Sequence, residues 1–157
     1  ITMIYITKAT VATIMLLVGL ASVTNVIAHG GATGVIKQRM DAMSDMAGAM
    51  KKMAPVVKGK QAFNRVLFIE SGKLIASHST MLPDLFPVGS IEGSSEALPA
   101  IWQQWDDFMS LSNRTKTNAE KLVNMAQDGA ELRPLTKQFV KIAGDCKACH
   151  KNYRKKK

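Results

Sequence analysis

Residues 132–157 read "LRPLTKQFVKIAGDCKACHKNYRKKK" and contain both cysteines of the 157-residue chain. Leu135, Phe139, Ile142, Cys146, Cys149 and Tyr153 alternate at intervals of four and three, the spacing of one helix face, and Pro134 suits a first turn. The stretch is therefore a terminal helix, with both cysteines expected on its buried seam.

The pattern is helical upstream as well. A helix is expected from Pro99 to Asp128-Gly129, with Ile101, Trp105, Phe108, Thr115, Ala119, Leu122 and Ala126 facing inward and Gly129 as its stop. Residues 80–98, "TMLPDLFPVGSIEGSSEAL", are rich in proline, glycine and serine and read as a long surface connection. Before it, a helix is expected from about Gln61 to Ser79, with Phe63, Val66, Leu67, Leu74 and Ile75 on its apolar side and Gly72 as an irregularity. The first helix covers 35–54. Ile36, Met40, Met43, Ala47, Met50 and Ala54 form its seam, and Pro55 ends it. Four amphipathic helices with no strand pattern predict an all-α, up-down-up-down antiparallel four-helix bundle, its long crossing between the second and third helices.

A chain of this length makes one domain with one core. Its formal charge of +9, from 21 Lys+Arg against 12 Asp+Glu, raises nucleic acid as a partner. The cations are scattered, however, and gather only at the end, with no basic stripe interleaved with aromatics. A cationic helix C-terminus also suits the helix dipole; its sharper reading is a docking patch for an acidic partner. Residues 9–28 carry no charge, follow Lys8 and end in Val-Ile-Ala, so residues 1–28 are expected to be a cleaved signal peptide and 29–157 the mature domain. A retained membrane anchor is the competing reading of the same segment.

Four chemistries compete for Cys146-Lys147-Ala148-Cys149-His150. A redox dithiol calls for a thioredoxin-like βαβ setting, which the chain lacks. A disulfide across this spacing closes too small a loop to stabilise a bundle much. Zinc needs a fourth ligand, and neither His29 nor His78 has a spacing that nominates it. Covalent haem attachment is the specific meaning of C-x-x-C-H. Thiols three residues apart share a helix face and can reach the two vinyl groups on one porphyrin edge, while His150 can offer a ring nitrogen to the iron. One haem c per chain, at the C-terminal helix, is the expected cofactor.

The stretches "VIKQRM", "KKMAPVVKGK", "FPVGS…EALPAIW" and "CKACHKNYRKKK" together resemble the class II cytochromes c, the cytochrome c′ group, over roughly residues 33–157. The resemblance implies that Cys146 and Cys149 bind the haem, that His150 is the axial ligand, that Arg39 lies near the haem propionates, and that Glu96 occupies an acidic position of the haem pocket. It also implies a homodimer through the first two helices. Family members often carry glutamine where this chain has Met40.

The resemblance makes position 43 decisive. A non-ligating residue there leaves a five-coordinate, high-spin iron open to NO or CO; a methionine gives a six-coordinate, low-spin iron suited to electron transfer. Met43 is the matching residue, one turn from Arg39. Met40, or no protein ligand at all, is the alternative, since Met46, Met50 and Met53 share the helix and methionine stripes also fill cores. His78 is a more distant candidate, and Trp102 matches the family's pattern. The expectation is a periplasmic one-electron carrier of an exporting bacterium, with no bond-making catalysis, serving redox partners that include acidic ones; the gas-binding high-spin protein is the alternative.

Overall fold

The structure is a computed structural model that describes residues 31–156. The expected signal peptide and His29 lie outside the described residues. Among the described residues five helices follow one another: α1 Gly34–Val57, α2 Arg65–Leu85, α3 Ala100–Gln103, α4 Trp105–Gln127 and α5 Leu132–Tyr153. Among the described residues no helix is long and apolar enough to cross a membrane.

Cross-contacts fix the directions. Arg39 and Asp45 of α1 meet Leu85 and His78 of α2. From α2, Ser79 and Gly72 meet Ser112 and Ala119 of α4. Asn118 of α4 meets Gln138 of α5, and Phe108 meets Tyr153. In each pair, advancing along one helix means retreating along the next, so the four long helices run up, down, up and down. The α2–α4 pairing is the most extensive, while α1 and α5 meet at few points. Phe68, Ile75, Phe108, Leu122, Leu135 and Ile142 are fully buried between the helices, each contributing about 1.5–3 kcal/mol of apolar transfer.

Several sequence expectations are corrected. Pro55 does not end α1, which continues to Val57 with the Lys58 amide on the Ala54 carbonyl at 3.0 Å; a proline forfeits only its own donor, and one more turn closes around it. The core seam of α1 is Arg39, Ala42, Met46, Ala49, Met53 and Val56. The stripe expected to be buried, Ile36, Met40, Met43 and Ala47, lies one position over and faces a cleft.

α2 starts later and ends later than expected. Asn64 caps it by accepting from the Leu67 amide at 3.3 Å, and Pro83 sits in its last turn. Val66 is 64% exposed, because Phe68, Ser71, Gly72 and Ile75 define the inner face. The third expected helix is broken at Gln104 into α3 and α4.

The segment between α2 and α3, residues 86–99, is no simple surface loop, since Phe86, Ser95 and Ala97 are buried. On α5 the buried positions are Leu135, Gln138, Ile142, Asp145 and Tyr153, and both cysteines are only half-buried. Both pack against the edge of the core, and Cys149 also lines the cleft.

Candidate functional site

A cleft of about 350 Å³ opens where α1 and α5 part, within the size range of small-molecule and cofactor sites. One wall is α1, through Ile36, Arg39, Met40, Met43, Ser44 and Ala47; the other is the end of α5, through Cys149, His150, Tyr153 and Arg154. Ile101 and Phe108 form the floor, and Phe86, Ser95, Glu96 and Ala97 of the 86–99 strap close one side. Cys146 stands one turn before Cys149 on the same helix, beside this lining.

The strap is fixed at both edges. The tail beyond α5 pairs with it through a bridge between Ala97 and Arg154; the Leu98 amide donates to the Tyr153 carbonyl at 3.0 Å and the Lys155 amide to the Glu96 carbonyl at 2.8 Å. Arg154 also forms an ion pair with Glu96. On the other edge, Arg39 is buried and directs its whole guanidinium at Leu85, Ser90 and Ser95. Its five donors are all engaged in these contacts.

Below the strap, aromatic rings hold the end of the bundle together. Phe108 contacts Phe86 with centroids 4.9 Å apart, Tyr153 at 5.4 Å and Trp105 at 5.6 Å. Trp102 lies outside the cleft, where its indole N–H donates to the Phe86 carbonyl at 2.9 Å.

Burial first, and the Arg154 charge second, lower the His150 basicity below that of an ordinary imidazole, with Glu96 opposing. A ring nitrogen lone pair is thereby kept available for a metal. Burial raises both thiols: Cys149, next to Cys146, goes up to about 11, and Cys146 is raised further by Asp145. These are neutral thiols at physiological pH, the opposite of an activated redox dithiol.

The donors fit a haem better than a bare ion. Among the described residues no group of three or more His, Cys, Asp and Glu side chains can hold a metal. A porphyrin brings four nitrogens of its own and needs from the protein only axial ligands and an apolar slot. The cleft offers an imidazole on one wall, a thioether on the other and a largely apolar lining.

Of the residues singled out in the sequence, Arg39, Met40, Met43, Glu96, Cys149 and His150 are brought together around this cleft. His78 is not; it faces Asp45 across α1 and α2, with Nε2 at 3.3 Å from the carboxylate. Sequence reasoning missed Phe86, Ser95, Ala97 and Tyr153 as cleft residues. The apolar Phe86 inside a proline- and glycine-rich run was the available signal.

Residues 34–154 match the family model described as Cytochrome C'. The chain is 34% identical over 127 residues to a cytochrome c-556 of Agrobacterium fabrum, covering 80% of this chain and 84% of that one. Among solved structures it resembles cytochrome c′ from Rhodopseudomonas palustris, with a TM-score of 0.74 and 31% identity over 80% of this chain and 99% of that one. It also resembles a nitric oxide complex of a variant cytochrome c prime from Alcaligenes xylosoxidans, with a TM-score of 0.71 and 31% identity over 78% and 94% of the two chains.

Proposed function

The chain belongs to the cytochrome c′ family of haem c proteins, and we propose that it carries single electrons in the periplasm as a low-spin member, with His150 and Met43 as the axial ligands. One observation carries this reading: Met43 and His150 line the same apolar cleft from its two walls. Bound haem supplies an iron that alternates between Fe(III) and Fe(II). The chain's own residues do the rest.

Cys146 and Cys149 hold the group covalently, so it is not lost after export. His150 would hold the iron through a ring nitrogen and Met43 through its thioether, a pairing that would raise the potential relative to two histidines and leave no open site for gases. Glu96, paired with Arg154, sets the local charge beside His150. Exposed Lys147, Lys151, Lys155 and Lys156 surround the end of α5 and suit an acidic redox partner. A homodimer through α1 and α2 completes the reading, and Val66 and Met81 stand exposed on α2.

The second reading is a five-coordinate protein that takes NO or CO against the apolar distal wall. The resemblance to a nitric oxide complex favours it. Optical spectra of the ferric and ferrous protein, with and without CO, separate the two. The first reading expects low-spin spectra indifferent to CO, turning high-spin and CO-reactive in Met43→Ala. A wild-type protein that is already high-spin and CO-reactive sinks it.

A further inference from the structure

The strap over the cleft is fastened from both walls, and one residue receives both fastenings. Buried Ser95 accepts at its hydroxyl from Arg39 Nη1 of α1 at 3.0 Å, and at its carbonyl from Lys155 Nζ, just beyond α5, at 2.8 Å. Arg39 spends its other donors on the same segment and the helix end that leads into it. Its Nε and Nη2 reach the Leu85 carbonyl at 2.9 and 2.8 Å, Nη1 reaches the Ser90 carbonyl at 2.9 Å, and Nη2 also donates to the Ser90 hydroxyl. The guanidinium plane covers the Phe86 ring at 4.0 Å, a cation–π contact.

A buried cation that fills a fork of carbonyls and hydroxyls is specific in shape. Lysine offers three donors from one point and cannot reproduce it. Removing the acceptors leaves buried donors unpaired, which costs more than the bonds themselves contribute.

Met43 lies one turn beyond Arg39 on α1, and both line the cleft. Because α1 and α5 meet at few points, direct helix packing does little to fix the wall that carries Met43 against the wall that carries His150. The path Arg39–Ser95–Lys155 supplies that tie through the strap.

We propose that Arg39 is a positioning residue for the distal side: by tying α1 to the strap it keeps the Met43 thioether in place and limits how often the cleft opens to an outside ligand. This rests on the reading of Met43 as an iron ligand. The rate at which an exogenous ligand enters then follows the population of the open form, which the tie keeps small.

The test uses the holoprotein and its Arg39→Gln, Arg39→Lys, Ser90→Ala/Ser95→Ala, Met43→Ala and Arg39→Gln/Met43→Ala variants. CO association with the ferrous form is measured, together with hydrogen exchange of the Ala97 and Leu98 amides in the Arg39 variants. Expected are a rise in CO association of at least tenfold in both Arg39 variants and in the double serine variant, and faster exchange at both amides. In the Met43→Ala background the Arg39 change should add nothing.

If Arg39→Gln gives no folded holoprotein, the serine variant, which keeps the cation, decides the matter. Wild-type CO rates in the Arg39 and serine variants, alongside a CO-reactive Met43→Ala, overturn the positioning role and leave Met43 standing as a ligand. An Arg39 effect undiminished by Met43→Ala overturns the role as well. A wild-type protein that is high-spin and CO-reactive overturns both readings.

Discussion

Gly72 on α2 lies directly against the Ala119 carbonyl on α4: a Cβ at position 72 would stand 3.2 Å from that oxygen and 2.7 Å from Val123 Cγ2. The contact lies within the bundle's most extensive helix pair, and it explains a glycine inside an otherwise regular helix. Gly72→Ala is expected to lower stability by about 1–3 kcal/mol through overpacking. Gly48 makes the contrast, being helical with nothing within 4 Å of its missing Cβ. Gly48→Ala is expected to stabilise by about 0.5–1 kcal/mol. Urea unfolding of the two variants checks both signs; a Gly72→Ala protein as stable as wild type would refute the close-approach account.

The C-x-x-C-H segment is anchored by the residue just before it. Asp145, 5% exposed, accepts from Arg114 Nε and from Asn118 Nδ2, the latter at 2.7 Å, and Asn118 in turn accepts twice from Gln138. Arg114 is half exposed, so its charge contributes little. The larger loss in Asp145→Ala is the unpaired Asn118 amide, and the expected cost is about 1–3 kcal/mol. Arg114→Ala should cost less than half as much. Equal losses in denaturant unfolding would mean that the ion pair, and not the amide network, holds α5 to α4.

The four long helices, their order and the C-x-x-C-H motif were legible because each rests on local pattern: period 3.6 for the helices, fixed spacing for Cys146, Cys149 and His150. What the pattern could not show was which of two adjacent stripes on α1 faces the core. Met40, Met43 and Ala47 are as apolar as Ala42, Met46 and Ala49, and only the parting of α1 from α5 decides that the first group faces a cleft. Arg39 inverts the usual rule, since a charged residue marks the core seam once distant carbonyls satisfy it. The strap was misread for a related reason. Its one buried serine, Ser95, is stabilised by partners 56 and 60 residues away, Arg39 and Lys155, and composition carries no trace of such partners.

The ion pair between Glu96 and Arg154 is half exposed on both sides, and the main-chain bridge of Ala97 with Arg154 does not depend on it. Glu96→Gln should therefore change stability by no more than about 1 kcal/mol. Thermal unfolding at low and high salt checks this. A larger loss that disappears in 1 M salt would show that the pair, not the backbone bridge, holds the tail to the strap.

The exposed lysines around the end of α5 lead to a kinetic prediction. His150 is itself partly open to solvent there, and Lys147, Lys151, Lys155 and Lys156 are all exposed, on a chain whose formal charge is +9. Such a cluster raises the local concentration of anions over a distance of about 8 Å at physiological ionic strength. Oxidation of the ferrous holoprotein by anionic hexacyanoferrate should therefore slow as salt is added, and oxidation by a cationic cobalt ammine should quicken. In Lys147→Glu/Lys151→Glu both slopes should shrink together, with the optical spectrum unchanged, because neither residue lines the cleft. Salt slopes that are unaltered in the double variant would place the electron's route of entry at some other face of the bundle.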